Sequence, residues 1–317
     1  MRTITALFVG LGSIGTRHLK NLANLCADRG WTLQADALRS DLTRPLRPGA
    51  AELLHAQYTD LAAAPAHYDM VFITNPTSLH AEALRQVKGR GEALFIEKPI
   101  FSAEQTGLAL DELLPAGQKA YVAAPMRWCG AMLALKDRLP ALHPYCARVI
   151  CSSYLPDWRP GVDYRTVYSA RKALGGGVTI DLIHEWDYLV ELFGVPEKLY
   201  NFKGTYSELE IDSDDLSVYI AKYPTLLAEV HLDYFSRGYR RSIELFCRDG
   251  SYLADFGKGT LTLPDGTVQH YEEDVNRRYE REMEYFVDYA LTGCGESCNP
   301  PALALKVLKL TLGENVQ

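Results

Sequence analysis

Ile4–Gly15 (ITALFVGLGSIG) is the stretch that decides the fold. Its first half, Ile4–Val9, is a continuous apolar run with a β-branched residue at each end, as in a buried parallel strand. Three glycines follow at once, and Thr16–Leu25 then shows helical spacing of its apolar residues. A strand, a glycine turn and a helix in this order predict a dinucleotide site, in which N–H groups at the helix N-terminus hold a pyrophosphate.

The three glycines have separate parts in such a turn. Gly10 permits the tight turn, Gly12 lets a phosphate approach, and Gly15 lets the helix pack on the strand. The alternative is a glycine-rich turn without a ligand, but the strand before it and the helix after it favour a cofactor. The expected cofactor-binding residues of this turn are Gly10, Gly12, Ser13, Ile14 and Gly15.

The chain divides into two halves of different character. Apolar strands such as Met70–Thr74 and Ala93–Ile96 alternate with helices as far as about residue 123, which is typical of a parallel, doubly wound sheet. From Cys146 onward, strand candidates follow one another across turns such as Arg248-Asp249-Gly250, and this succession indicates antiparallel pairing. A helix over about Val178–Phe193 interrupts the series, and two helices end the chain.

These patterns predict an α/β protein of two domains. The first, over residues 1–123, is an N-terminal Rossmann domain with a doubly wound parallel sheet that binds a dinucleotide. The second, over residues 124–317, is a C-terminal α+β domain built on a large, mostly antiparallel open sheet.

Composition narrows the class of partner. Hydrophobic residues make up 47% and charged residues 23% of the 317 residues, as in a folded globular protein, and the net charge is −7. An acidic chain is a poor binder of nucleic acid and of anionic membranes, and no run approaches the roughly 20 apolar residues of a membrane span. We therefore expect neither partner.

The cysteines indicate a reducing compartment. Their number is odd, they are scattered, and no CxxC occurs, so we expect free thiols, no metal site and a cytoplasmic location. They are Cys26, Cys129, Cys146, Cys151, Cys247, Cys294 and Cys298.

The end of the second predicted strand bears on cofactor choice. NAD enzymes usually carry an acid here for the ribose 2′-OH, whereas this chain has Arg39 and Ser40. Because arginine suits bidentate phosphate contact, the pair favours NADP, with NAD still possible. The alternative is that Arg39 is a solvated loop residue and that Asp36 or Asp41 binds the ribose.

Two later strand ends carry polar groups toward the same edge of the sheet. Thr74, Asn75 and Pro76 follow one strand, with His80 in the next helix, and Glu97 and Lys98 follow another. We expect all six to contact the cofactor, and a lysine in a cleft can also stabilise an oxyanion. The alternatives are a surface helix position for the histidine and a solvated charge for the lysine.

The third constellation lies in the second half. Asp181, His184 and Tyr188 fall on one face of the predicted helix, after Gly175-Gly176-Gly177. A carboxylate beside an imidazole suits proton exchange near neutral pH, and the glycines permit close approach of another group. The alternative is an exposed polar face with no role. An aromatic, basic stretch over Trp158–Arg165 could hold an anionic or polyhydroxylated substrate, or be an ordinary basic loop.

Taken in order, GLGSIG, ITNPTSLH, EKP and GGG…DLIHEWDYL resemble the Gfo/Idh/MocA family of glucose–fructose oxidoreductase and inositol dehydrogenase. The resemblance implies bound NAD(P), hydride transfer at a carbinol of a sugar or related compound, and a second domain whose open sheet binds substrate and forms homodimers or homotetramers. It also implies that Lys98, Asp181 and His184 are catalytic. The family commonly spaces the Asp and His four apart, whereas here they are three apart, as in a sub-group similar to oxidoreductases of surface-saccharide pathways.

The resulting hypothesis is an NADP(H)-dependent oxidoreductase acting on a sugar. His184 is expected to accept the hydroxyl proton, Asp181 to orient its imidazole, and Lys98 to donate to the same oxygen. Which of Asp181 and His184 moves the proton stays open. Rival functions are a dinucleotide sensor or non-catalytic subunit, and a redox-neutral enzyme with a tightly held cofactor. The expected substrate-binding residues are Arg127, Trp158, Tyr164, Arg165 and His184.

Overall fold

The structure is a computed structural model that describes residues 2–293 and 295–316. The predicted free thiol of Cys294 therefore lies outside the described residues. The six cysteines that are described are free thiols. The chain forms two compact units, residues 1–123 with 279–305 and residues 124–278 with 306–317.

The first unit contains a six-stranded parallel sheet. Apolar runs supply its central strands, whose side chains are almost completely buried, as expected for a parallel sheet covered on both faces. The spatial order is β3-β2-β1-β4-β5-β6, so the order reverses between β1 and β4. The strands are β1 Thr3–Val9, β2 Thr32–Leu38, β3 Leu54–Tyr58, β4 Tyr68–Ile73, β5 Gly91–Ile96 and β6 Lys119–Val122, with helices α1 Ser13–Asp28, α2 His80–Gln86 and α3 Leu110–Leu113.

Aromatic side chains form the centre of this unit's core. The rings of Phe8 and Phe72 stack at 4.5 Å, and Phe286 meets Phe72 and Phe95 edge-on at 5.4 Å and 5.1 Å. Phe286 belongs to helix α7, Val275–Thr292, far along the chain. The predicted division is corrected here, because it placed every residue after 123 in the second domain. Residues 279–305 return to the first unit, where burial of this apolar surface stabilises them.

The second unit contains an eight-stranded sheet in the order β14-β13-β12-β11-β7-β10-β9-β8. All neighbours pair antiparallel except β7 and β10, which are parallel. The predicted mostly antiparallel sheet is therefore confirmed. The strands are β7 Cys146–Tyr154, β8 Lys198–Gly204, β9 Leu216–Lys222, β10 Leu227–Asp233, β11 Phe235–Cys247, β12 Gly250–Asp255, β13 Thr260–Thr262 and β14 Val268–His270.

Helices of the second unit include α4 Gly130–Arg138, α5 Val178–Asp181 and α6 His184–Phe193, and α8 Pro301–Thr311 lies near the C-terminus. The long helix expected over 178–193 is corrected, because residues 182 and 183 form a turn between α5 and α6. Tyr188 consequently does not continue a polar face with Asp181. It is fully buried and packs edge-on against Phe256, with ring centroids 5.4 Å apart, since aromatic burial outweighs exposure of one hydroxyl.

Residues 2–293 and 295–316 contain no helix with both the length and the apolar character needed to cross a bilayer.

Candidate active site

The glycine turn joins β1 to α1, and each glycine meets a different requirement. Gly10 has φ of +86°, and a Cβ there would lie 2.7 Å from the Asn75 Cα. A Cβ on Gly15 would lie 2.7 Å from Thr74 Oγ1. A Cβ on Gly12 would have no atom within 4 Å, so this position is open on the outside. Gly10 and Gly15 are therefore demanded by the protein's own packing, whereas Gly12 leaves room for a ligand.

The N-terminus of α1 fits an anion. Gly12 is its N-cap residue and has no side chain with which to accept from the first N–H groups of the helix. The first turn carries no acidic side chain that could occupy this place. The backbone of Ser13, Ile14 and Gly15 is thus suited to a pyrophosphate, which is the test that a bound dinucleotide must meet.

Three of the predicted segments share one edge of the first sheet. Gly10, Thr74 and Glu97 each follow directly after β1, β4 and β5, which are adjacent in the sheet. Two hydrogen bonds join the end of β4 to the end of β1. The Thr74 N–H donates to the Val9 carbonyl at 3.0 Å, and Thr74 Oγ1 donates to the Gly10 carbonyl at 2.6 Å. The structure therefore places these residues at the carboxyl ends of parallel strands, beside the reversal of strand order where such sheets bind ligands.

His80 supports this edge from within the protein. The residue is buried, with Nδ1 3.1 Å from the Ile100 carbonyl and Nε2 3.0 Å from the Asn75 carbonyl. Burial lowers the pKa of its imidazole, and the two carbonyls only partly oppose that effect. His80 thus ties together the loops that follow β4 and β5. This geometry does not favour the expected direct contact with a cofactor.

Glu97 has a partner that the sequence analysis missed. His18 is fully buried on α1, and its Nε2 lies 2.6 Å from Glu97 Oε1. Burial raises the pKa of Glu97, but the hydrogen bond and charge of His18, with help from Lys98, hold the pKa below its usual value. The sequence contained an indication of this pair, because His18 falls among the buried positions of α1, beside Leu19 and Leu22. A polar residue on an apolar helix face needs a partner.

Lys98 presents its side chain differently. Its backbone N–H donates to Glu97 Oε2 at 3.1 Å, and its side chain is half-buried. No hydrogen bond or ion pair joins its ammonium to any residue that the structure describes. The charge of Lys98 acts on Glu97 from a distance, but its half-buried ammonium has no hydrogen bond or ion pair among the described residues and is available to donate to a ligand oxygen.

At the end of β2, the side chain that is available to a cofactor is an arginine, whereas the nearest acid before it is buried. Arg39 is held by neutral acceptors, since its Nη1 donates to Gln57 Oε1 at 2.7 Å and its Nη2 donates to the Arg44 carbonyl. Asp36 is 3% exposed and accepts from the Tyr68 hydroxyl at 2.8 Å, so it is turned into the protein. Ser40 is exposed. The positive charge of Arg39 is thus not neutralised by the groups that orient it.

Asp41 was the other acid considered for the ribose. Its Oδ1 accepts from the N–H and the hydroxyl of Thr43 at 2.8 Å and 2.6 Å. These hydrogen bonds lower the pKa of its carboxyl. The carboxylate therefore organises its own loop, which borders an open cavity of about 430 Å³ whose lining includes Arg39, Arg44 and Arg47.

In the second unit, Asp181 is the centre of a cluster that the sequence analysis did not foresee. Its carboxylate, 8% exposed, accepts from the Tyr168 hydroxyl at Oδ1 and from the Tyr234 hydroxyl at Oδ2, both at 2.5 Å. Trp158 meets the Tyr234 ring edge-on at 5.2 Å. His184 begins α6 three residues after Asp181 and is half-buried.

The glycines before α5 serve protein contacts. A Cβ on Gly176 would lie 2.0 Å from the Tyr168 carbonyl oxygen, and one on Gly177 would lie 2.3 Å from Asp214 Oδ1. The close approach expected here therefore occurs, but the approaching groups belong to the chain itself. Asp214 also accepts from the Thr179 N–H at 2.9 Å, which secures the start of α5.

Arg165 does not present a free guanidinium to a substrate. Its Nε and Nη2 donate to Asp163 at 2.9 Å each, and its Nη1 donates to Glu210 at 2.7 Å. This geometry does not favour the expected role of Arg165 in substrate binding, because two carboxylates already pair with its guanidinium. Tyr164 is half-buried, and its hydroxyl accepts from the Glu210 N–H at 3.2 Å.

The expected role of Arg127 in substrate binding is likewise not favoured by its contacts. It is 3% exposed, and it donates from Nε and Nη2 to the two oxygens of Asp187 at 2.9 Å and 2.8 Å. Its Nη1 donates to Glu191 at 2.6 Å. A buried bidentate ion pair of this kind organises the interior of the unit rather than binding a substrate.

Comparison with known proteins agrees with this geometry. Residues 4–123 match the family model described as the oxidoreductase family with an NAD-binding Rossmann fold, GFO_IDH_MocA. The matched segment contains the glycine turn and ends one residue after β6. The first part of the chain, residues 4–123, is thus similar to the Rossmann domain of the Gfo/Idh/MocA oxidoreductases.

Two relatives and one solved structure are similar to longer stretches of the chain. The uncharacterized oxidoreductase YrbE of Bacillus subtilis (strain 168) is 24% identical over 308 residues, covering 90% of this chain and 86% of that protein. Inositol 2-dehydrogenase of Rhizobium meliloti (strain 1021) is 26% identical over 200 residues, covering 61% and 56%. Levoglucosan dehydrogenase, solved with NADH and levoglucosan, superposes with a TM-score of 0.83 at 15% identity, covering 98% and 96%, and that likeness concerns the fold.

The candidate polar groups are found in both units: Lys98 belongs to the first, and Asp181, bound by two tyrosines, belongs to the second. The described ranges 2–293 and 295–316 contain no cluster of three or more His, Cys, Asp or Glu side chains that could hold a metal ion.

Proposed function

We propose that this oxidoreductase is an NADP(H)-dependent dehydrogenase or reductase acting on a carbinol of a sugar or sugar derivative. The observation that carries the proposal is Lys98, whose ammonium has no hydrogen-bonding partner among the described residues and which lies on the sheet edge that also holds the glycine turn. A lysine with a purely structural role would be expected to bond a carboxylate or carbonyl of the protein. A lysine that donates to a substrate oxygen is expected at this edge of the sheet, with its ammonium unbonded in the protein.

The chain's own residues divide the work as follows. The backbone of residues 10–15 binds the pyrophosphate, and Thr74–Pro76 border it on the next strand. Lys98 donates to the substrate oxygen, and His184 accepts the hydroxyl proton in the oxidising direction. Asp181 supplies a fixed negative charge, and Trp158 offers a ring to the sugar. The bound nicotinamide supplies the redox chemistry.

The sugar substrate is supported by the relatives. Their names specify an inositol and an anhydrosugar, and both compounds are polyhydroxylated rings with secondary carbinols. The test is a screen of sugars, cyclitols, uronic acids and nucleotide sugars with NAD and with NADP, followed by nicotinamide absorbance. We expect stoichiometric reduction with at least one sugar. Cofactor binding without turnover on any of them would support a sensor, and an absorbance that never changes with turnover would support a redox-neutral enzyme.

The preference for NADP is supported by the Arg39 region. Arg39, Arg44 and Arg47 line one cavity together with Glu52. Asp36 is turned into the protein, and Asp41 pairs with Arg44 at 3.5 Å, so neither of these acids neutralises Arg39. Guanidinium groups bind a phosphate in bidentate fashion, so the extra 2′-phosphate of NADP has donors here.

Replacing Arg39 with alanine is expected to weaken NADPH binding about 10-fold or more, because a charge-assisted hydrogen bond is lost, while NADH binding is unchanged. Titration of nicotinamide fluorescence measures both Kd values. Arg85→Ala, which removes an exposed arginine from α2 of the same unit, is the control and is expected to change neither. Equal affinity of the unaltered protein for the two cofactors would contradict the preference for NADP.

A homodimer or homotetramer is supported by the outer face of the second sheet. Tyr200 and Phe202 of β8 and Ile220 of β9 are 51%, 70% and 36% exposed, and Tyr200 pairs directly with Ile220. Adjacent exposed apolar side chains on a sheet face mark an interaction surface. We expect Phe202→Glu to shift the protein toward monomer in sedimentation velocity, with Val268→Glu as a control on β14 at the opposite edge. An unaltered protein that is monomeric at all concentrations would contradict this.

A cytoplasmic location and the absence of nucleic-acid and membrane partners are part of the proposal. The six described cysteines are free thiols, which suits a reducing compartment. The net charge of −7 disfavours polyanionic partners.

A further inference from the structure

Asp181 is held by two hydroxyls that come from distant parts of the chain. Tyr168 precedes it by 13 residues, in a single helical turn over Tyr168–Ala170, and Tyr234 follows it by 53 residues, directly after β10. Each donates to a different carboxylate oxygen at 2.5 Å, a length typical of hydrogen bonds from a hydroxyl to a carboxylate.

Both phenols stay protonated and can therefore donate a hydrogen bond. Burial raises the pKa of Tyr234 well above its ordinary value, and the charge of Asp181 raises it further. The pKa of Tyr168 is raised by the same two causes in the same order, although 43% of the residue's surface is exposed. A phenol with a raised pKa keeps its proton, and a carboxylate oxygen can only accept a hydrogen bond. The hydrogen bonds therefore run from tyrosine to aspartate in both cases.

Further contacts hold the two rings in place. Trp158 lies edge-on against the Tyr234 ring at 5.2 Å, and the guanidinium of Arg159 lies 5.7 Å from the centre of the Tyr168 ring. Arg159 and Asp214 are the charged side chains that act on these tyrosines besides Asp181. The carboxylate thus has little freedom to turn.

We infer that Tyr168 and Tyr234 are positioning residues of the proposed centre. They hold the Asp181 carboxylate with both oxygens engaged, so a proton from the substrate could reach either oxygen only if one phenol gave up its acceptor. In the proposed reaction the proton that leaves the substrate hydroxyl therefore passes to His184. This assignment rests on the proposed function and resolves which of the two residues moves the proton.

The kinetic test compares Tyr168→Phe and Tyr234→Phe with the unaltered enzyme on the sugar found by the screen. Each variant is expected to lower kcat about 10- to 100-fold, with KM and the Kd for NADPH changed less than about 3-fold. The acid limb of the kcat/KM profile reports the group that accepts the proton, His184 in the proposed reaction. It is expected to move to higher pH, because a carboxylate with one donor fewer stabilises the protonated imidazole more strongly. A merely structural role would leave that limb in place.

Tyr145→Phe is the matched control, since Tyr145 is 60% exposed and lies outside the cluster. It is expected to change neither kcat nor the profile. Thermal melts of all variants show whether the fold is kept. Unchanged kcat and an unchanged acid limb in both folded cluster variants would overturn the inference.

A second measurement needs no substrate. The tyrosinate absorbance of the unaltered protein minus that of Tyr168→Phe follows the ionisation of Tyr168 with pH. The corresponding difference is the absorbance of Asp181→Asn minus that of the double variant Asp181→Asn with Tyr168→Phe. In this difference Tyr168 is expected to ionise at lower pH, because the neighbouring negative charge is gone. Identical titrations would show that Tyr168 does not contact Asp181, and would overturn the inference. A shifted titration in a protein that turns over no sugar would leave the cluster intact and contradict the proposed function alone.

Discussion

Lys98→Ala is expected to lower kcat by about 10²- to 10⁴-fold while the Kd for NADPH changes less than about 3-fold. The ammonium has no hydrogen-bonding partner among the residues described, so its removal leaves no protein carboxylate unpaired. The loss therefore falls on the substrate oxygen that it serves in the proposed reaction. Steady-state kinetics on the sugar found by the screen and nicotinamide fluorescence titrations measure the two quantities.

Lys88→Ala is the control for this experiment. Lys88 is an exposed lysine of the same unit whose Nζ donates to the Glu112 carbonyl at 2.8 Å. Its loss is expected to leave kcat unchanged. Lys98→Arg, which keeps the charge but alters its geometry, is expected to recover only part of the rate. Undiminished turnover in Lys98→Ala would remove this lysine from the mechanism.

Arg127→Ala is expected to reduce the free energy of unfolding by about 3 kcal/mol, because it leaves the buried Asp187 carboxylate without its cation, whereas Glu191 keeps its ion pair with Lys136. Arg127 is 3% exposed, and its three hydrogen bonds to Asp187 and Glu191 measure 2.6–2.9 Å. Urea unfolding followed by circular dichroism measures the change. In whatever fraction remains folded, KM for the sugar is expected to stay near its original value.

Arg165→Ala is the control that distinguishes the loss of a buried ion pair from the loss of a positive charge alone. Arg165 also bonds two carboxylates, Asp163 and Glu210, but on the surface, so its loss is expected to lower the free energy of unfolding far less than the loss of Arg127. A variant of Arg127 that unfolds like the unaltered protein but has a greatly raised KM would restore the original expectation that Arg127 binds substrate.

Much of the first unit was accessible from the order of residues alone. The strand, glycine turn and helix over residues 4–28 depend on apolar spacing and on residues without a Cβ, and both are local properties. Thr74 and Glu97 could be placed on one edge because parallel strands present their carboxyl ends together. The mostly antiparallel second sheet followed from hairpin turns, which are equally local.

The partners of charged side chains were not accessible in this way. Arg127 and Asp187 are 60 residues apart, and His18 and Glu97 are 79 apart, so no local pattern connects them. The break between α5 and α6 was missed because residues 178–193 have helical spacing throughout. The structure shows that α5 ends at Asp181 and that α6 begins at His184. Asp181 is held by two tyrosines and Tyr188 is buried, so the two residues face different surroundings.

By itself, the sequence determined that this protein has a dinucleotide-binding turn on a parallel sheet and a second, mostly antiparallel sheet. Backbone conformation at glycines and the period of apolar residues specify these elements within a few residues. Only the tertiary structure decided which arginines are neutralised, which histidines are buried, and that two tyrosines hold Asp181. A side chain's charge and donors acquire their effect from the groups that packing brings within hydrogen-bonding distance, whatever their separation along the chain.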